Sequence, residues 1–198
     1  MTGLFFEPDD ATQLTQDERE GLLQTWIAVR SDLNEAEEAN IAKGASWAKK
    51  TRARSPEAVL NETFVRTLHK RMFGDVWAWA GIYRHTGRNI GIEAWRIPAE
   101  IANLLGDVRF WIEQKTFQPA EIAIRLHHRM VAVHPFPNGN GRHTRLMADL
   151  LIERLGGHAF SWGSSSLADI GELRAAYVAA LRAADNHDIG PLLAFARS

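Results

Sequence analysis

The chain has 198 residues, with 23 Lys+Arg against 24 Asp+Glu for a formal charge of −1, and no cysteine. Near-neutrality removes the electrostatic case for nucleic acid or an anionic membrane surface. The missing cysteine excludes a disulfide scaffold, a thiolate zinc site and a Cys nucleophile. Hydrophobic residues make up 45 % and charged residues 24 %, which suits one soluble domain with a real core and a short arm. No apolar run approaches transmembrane length, and the start lacks a basic region and an apolar stretch, so the expected compartment is cytoplasmic. The odd item is seven Trp against two Tyr.

Residues 1–13 are polar and acidic without periodicity and read as an N-terminal arm, with residues 14–198 forming a single domain. Thr15 and Glu18 have capping-box spacing, which predicts a helix through about Val29. Ser31 caps a second helix that carries Glu35, Glu37 and Glu38 and passes Trp47. The basic run 49–54, without interleaved aromatics, reads as a solvated helix end. A third helix is predicted from Asn61 to Phe73, with Gly74 in the left-handed C′ position. Four glycines between 74 and 91, interleaved with Trp77, Trp79, Tyr83, Ile90, Ile92 and Trp95, predict a flap-like hairpin. Its turn falls at Thr86–Asn89 and its short strand at Asn89–Glu93, with the tryptophans packing it onto helices. Helical spacing of apolar residues follows over 97–112 and over Pro119–Val133, where Pro135 and Pro137 stop the chain. Further helices are predicted over Gly139–Leu155, Ser165–Ala184 and Ile189–Ala196. The fold class is mainly α, a helical bundle with a small β-hairpin flap.

Chemistry gathers in His134-Pro135-Phe136-Pro137-Asn138-Gly139-Asn140-Gly141-Arg142-His143-Thr144-Arg145. His134 stands where a helix ends, so its imidazole projects into a cleft. Gly139 and Gly141 let successive backbone amides approach an anion, and the positive end of the following helix dipole points to the same place. Arg142 and Arg145, three apart on one helix face, reach that anion too. A histidine, an anion cradle and two guanidiniums point to phosphoryl or nucleotidyl chemistry. Neither a Walker A loop nor a G-x-G-x-x-G fingerprint is present.

The stretch resembles the signature of the Fic family, H-x-F-x-[D/E]-G-N-[G/K]-R-x-x-R, at every fixed position but one. Met72 to Arg84 resembles the segment leading into the family's flap. The motif, Leu33-Asn34-Glu35 and Trp162-Gly163-Ser164 resemble the subgroup called mobile mystery protein B. The resemblance covers roughly Thr15 to Ala184. It implies the Fic fold and transfer of AMP from ATP to a Ser, Thr or Tyr hydroxyl of a target protein. It further implies His134 as general base, Phe136 as loop anchor, and Asn138, Gly139, Asn140, Gly141, Arg142 and Arg145 as nucleotide-binding residues. Mg²⁺ is the implied cofactor. Where most members carry Asp or Glu as its ligand this chain has Asn138, which brings an oxygen without a charge and so a weak metal site.

An inhibitory helix in the family, [S/T]-x-x-x-E-[G/N], resembles Ser31 to Ala36, so Glu35 is expected to pair with Arg145. Ile90, Gly91 and Ile92 are the expected target-docking flap, pairing with an extended target segment. His127 is expected to pack behind the site and His143 to face solvent. The alternatives are a Doc-like phosphotransferase and a non-catalytic module that binds nucleotide or a partner. The subgroup resemblance adds a small DNA-binding protein as a possible partner.

Overall fold

A computed structural model describes residues 21–50, 55–87, 90–164 and 170–198. The expected arm at 1–13, the start of the first expected helix and the basic run at 51–54 lie outside the described residues.

The order is α1 (Arg30–Lys50), a 3-10 turn at Pro56–Ala58, α2 (Glu62–Phe73), a 3-10 turn at Ala94–Arg96 and α3 (Ile97–Glu113). Then come α4 (Pro119–Val133), α5 (Asn140–Arg154), α6 (Ile170–Asp185) and α7 (Gly190–Arg197). Helix α5 is the central rod: His143 through Ile152 are all buried. Helix α4 packs along it with α3 beyond, α2 covers its start, α1 lies on α2, and α6 and α7 close the far side.

Local chemistry explains the boundaries. Asn61 accepts the Phe64 amide at 2.8 Å to open α2, whose buried stripe is Phe64, Val65, Leu68, His69, Met72 and Phe73. Asn40 of α1 closes the other end: its Nδ2 donates to the Arg71 carbonyl at 3.1 Å and its Oδ1 accepts from the Asp75 amide at 2.8 Å. Gly74 lies at φ −74°, right-handed rather than in the expected left-handed conformation, because that carbonyl is already met by a side chain.

Residues 21–29 are not helical. The chain there runs against the segment after α2 in an isolated antiparallel bridge between Leu22 and Trp77. The Leu23 amide donates to the Val76 carbonyl and the Ala78 amide to the Gly21 carbonyl, both at 2.8 Å. These pairings take the groups a helix would have used.

Among the described residues the expected hairpin carries no paired strand; Arg88 and Asn89, at its tip, lie outside them. Residues 81–87 and 90–93, the crossing segment at the end of α4, are irregular, and the carbonyls of Thr86 and Ile92 are held by the Arg84 guanidinium instead of a partner strand. Trp77 is buried and stacks on Trp79 with ring centroids 5.0 Å apart. Trp95 departs from the expected packing and is 80 % exposed.

Candidate functional site

The site begins where α4 stops. His134 caps α4 in the left-handed conformation, φ 52°, and its amide donates to the Met130 and Val131 carbonyls. That bend releases the side chain from the helix row and leaves the imidazole partly exposed.

The loop beyond is shaped from inside. Phe136 is fully buried, with its ring on His69 at a centroid separation of 3.7 Å, and His143 meets its edge at 5.3 Å. Asn140 closes the loop on itself: the Phe136 amide donates to its Oδ1 at 2.9 Å, and its Nδ2 donates to the Phe136 carbonyl at 2.8 Å. His69 ties the loop to α2 and to the crossing segment. The Gly81 amide donates to its Nδ1 at 3.0 Å, so the proton sits on Nε2, which donates to the Asn138 carbonyl at 3.1 Å. Burial holds the His69 pKa well below its usual value, consistent with that neutral tautomer.

Gly139 starts α5 at φ 76°, with its Cα so close to Phe73 that a Cβ would lie 2.5 Å from the ring. A side chain there needs both a strained backbone and a displaced core ring. From Asn140 onward the first-turn amides have no carbonyl of their own helix to meet, which is the feature that makes a helix start an anion site.

The two arginines leave α5 in different directions. Arg142 pairs with Glu37 at 2.5 Å and lies over the Phe73 ring at 5.0 Å. Glu37 is 4 % exposed and also accepts Trp77 Nε1 at 2.7 Å. Arg145 is buried near the Tyr177 ring, 5.7 Å to its centroid, and burial brings its pKa down to about 9, so it stays charged at neutral pH. Tyr177 and Asp149 oppose that fall, and Arg142 adds to it.

The loop residues expected from sequence are therefore brought together, while the acid from α1 is a different one. Glu35 is exposed, and Glu37 meets the loop, on Arg142 rather than Arg145. Helical geometry is the reason. Leu33, Glu37, Asn40, Gly44 and Ala48 share the buried stripe of α1, and a position two residues earlier turns to the opposite face. His143 also differs: it faces the core, with Nε2 donating to the Val65 carbonyl at 2.9 Å and burial lowering its pKa to about 4. His127 packs as expected, fully buried and 3.0 Å from Tyr177 Oη through Nε2, its pKa lowered by burial to about 3.

In the crossing segment Ile90 is 62 % exposed. Gly91 lies against His134, where a Cβ would come within 2.6 Å of the histidine's own Cβ. Ile92 packs partly on the core, and its amide donates to the Val133 carbonyl at 3.4 Å. Sequence reasoning passed over His69, Glu37 and Arg84. Each is a polar residue at a buried position, and for His69 and Glu37 the helical stripe was the available signal.

A divalent cation is implied by the family resemblance. Asn138 Oδ1 is taken by the Gly139 amide at 2.6 Å, and among the described residues no three His, Asp or Glu converge. The donor set does not fit a protein-held Mg²⁺.

This arrangement, a histidine at a helix end beside a helix start with two guanidiniums, lies within residues 59–152, which match the family model described as the Fic/DOC family. The chain is 30 % identical over 132 residues to the protein adenylyltransferase fic-1 of Caenorhabditis elegans, covering 65 % of this chain and 25 % of that one. It is likewise 30 % identical over 93 residues to the protein adenylyltransferase Fic of Aedes aegypti, covering 45 % and 19 %. It thus spans about a quarter or less of these relatives' lengths. The BepC protein of Bartonella tribocorum, solved with bound AMPPNP, superposes with a TM-score of 0.64 at 18 % identity, covering 90 % of this chain and 95 % of that one. Among the described residues no helix is long and apolar enough to cross a membrane.

Proposed function

We propose that the protein transfers the AMP part of ATP to a Ser, Thr or Tyr hydroxyl of a target protein. The target hydroxyl gives its proton to the His134 imidazole, its oxygen bonds to the α-phosphorus, and the bond from that phosphorus to the bridging oxygen breaks. Pyrophosphate leaves, AMP stays on the target as a phosphodiester, and the proton rests on His134. The observation that carries this reading is His134 at the end of α4 followed closely by the start of α5, where Gly139, Asn140 and Gly141 stand, with Arg142 and Arg145 on the first two turns of that helix. Charge developing on the phosphates is met there by fixed donors. The adenylyltransferase relatives and the AMPPNP-bound neighbour support it.

In the resting chain Glu37 holds Arg142, so nucleotide phosphate competes with a buried carboxylate for that guanidinium. This makes Glu37, in place of Glu35, the inhibitory acid. The target docks along Ile90 and Gly91, since the amide and carbonyl of Ile92 are already engaged. The small DNA-binding protein remains a candidate second partner.

A second reading, a nucleotide-binding module without transfer, is favoured by the Asn138 oxygen turning to its own backbone. Labelled ATP separates the readings. Wild type, His134→Ala and Glu37→Gln are incubated with α-labelled and, separately, γ-labelled ATP, with and without Mg²⁺. Adenylyl transfer requires protein-bound α label that falls about 1,000-fold in His134→Ala and rises in Glu37→Gln. Label from the γ position alone identifies a Doc-like phosphotransferase, and none from either position leaves the binding module.

A further inference from the structure

An α-helix ends with carbonyls that have no partner within it. At the end of α4 these carbonyls flank the imidazole, and one residue meets them in succession. Arg84, 3 % exposed, donates through Nε to the His134 carbonyl at 2.7 Å and through Nη2 to the Val133 carbonyl at 3.4 Å. Its own amide donates to the Pro135 carbonyl at 2.9 Å. The same guanidinium reaches into the crossing segment, with Nη1 on the Thr86 carbonyl at 2.9 Å and Nη2 on the Ile92 carbonyl. A planar fork with several donors meets this many acceptors, and a cation at a helix C-terminus is favoured by the dipole. His134 needs such support, because its left-handed φ of 52° is one that a residue with a Cβ holds only when its surroundings enforce it. Gly91 completes the contact: a Cβ there would lie 2.6 Å from His134 Cβ and 2.8 Å from Arg84 Nη2.

We propose that Arg84 is the positioning residue of this site. It fixes the backbone of residues 133–135, hence the direction of the His134 imidazole, and fastens Thr86 and Ile92 to it, so that the base and the surface receiving the target hold one geometry. The kinetic part of the proposal rests on the adenylyl-transfer reading; the structural part does not.

The test compares the full chain with Arg84→Lys, Arg84→Ala and Gly91→Ala. Lysine keeps the charge and loses the fork; alanine at 91 sets a methyl against His134 Cβ and Arg84 Nη2 and so pushes the segment off while leaving both side chains present. Two quantities are read: kcat and KM for ATP with α-labelled nucleotide, and amide hydrogen exchange at His134, Phe136 and Gly91–Glu93. Displacing the base by about 1 Å is expected to lower kcat about 100-fold in each variant, with KM for ATP changed by no more than about twofold. Exchange in both segments rises together while α2 and α5 stay protected. Added methylguanidine restores part of the rate of Arg84→Ala, which loss of packing alone would not allow. A kcat within about twofold of wild type, or faster exchange in only one of the two segments, overturns the proposal. A wild type that transfers no label defeats the adenylyl-transfer reading, and hydrogen exchange then decides on Arg84 by itself.

Discussion

The motif loop and the crossing segment meet at His134 and are held by opposite means. The loop carries its own fastenings: Asn140 bonds both backbone groups of Phe136, and His69 props the turn from below. Its anchor ring is fully buried. The crossing segment has no ladder among its described residues and leaves Ile82 and Ile90 substantially exposed, as is Trp95 in the 3-10 turn that follows it. His69 holds the segment's start through the Gly81 amide, and Arg84 bonds the carbonyls of Thr86 and Ile92 farther along. The loop keeps a fixed shape at the cost of burying polar groups, and the segment keeps an open face; the proposed transfer asks the first of a phosphate cradle and the second of a docking surface.

The sharpest way to break the contrast is Asn140→Ala. It strips a buried amide and a buried carbonyl of their partners, each worth roughly 1–3 kcal/mol when left unmet. Denaturant unfolding should show a loss of about 3 kcal/mol, together with loss of nucleotide binding. A loss below about 1 kcal/mol would mean that the loop keeps its shape without its own clasp, and the distinction between the two regions would fall.

Acid acts on the same underpinning. His69 is held well below its usual pKa by burial, His143 at about 4 and His127 at about 3. The unfolded chain protonates these groups near pH 6.5. Their contribution is therefore fully present above pH 6.5 and is lost as pH falls toward 4. Asp149 works the other way: burial raises its pKa to about 6, so its contribution is greatest below the unfolded value near 4 and is lost as pH rises through 6. Three groups outweigh one, and the thermal midpoint should drop by several degrees between pH 7 and pH 4.5. Asp149→Asn keeps an acceptor for Trp162 Nε1 at the same place and removes the opposing contribution, so the acid slope steepens. A flat profile would place the histidines in contact with solvent and contradict the packing around Phe136.

The parts of this design that were legible in the sequence are those written locally. The boundaries of α4 coincide with the periodicity and its prolines, and α2 starts beside the asparagine that caps it. The loop was readable because glycines, arginines and a histidine stand within twelve residues. The rest depends on partners far apart in sequence. Glu37 and Arg142 are 105 residues apart, His69 and the Asn138 carbonyl 69, Arg84 and the His134 carbonyl 50. Nothing local marks Glu37 over Glu35 except the stripe it shares with Leu33, Asn40 and Gly44, and a run of acids hides that stripe. Residues 21–29 carry a helical pattern yet pair with the segment after α2, a tertiary contact overriding local propensity.

The smallest effect belongs to the open face. Trp95 is 80 % exposed, so Trp95→Ser removes little buried area and should change unfolding free energy by less than about 0.5 kcal/mol. Its indole emits from water, and the variant should lose intensity chiefly at the long-wavelength edge of the protein's fluorescence. Buried Trp77 and Trp162 and the partly buried Trp79 keep the shorter-wavelength emission, and Trp26, 57 % exposed, keeps part of the red edge. If the variant instead loses several kcal/mol, or the lost emission is blue-shifted, Trp95 packs on the body of the domain. The open face of the crossing segment would then be confined to Ile82 and Ile90.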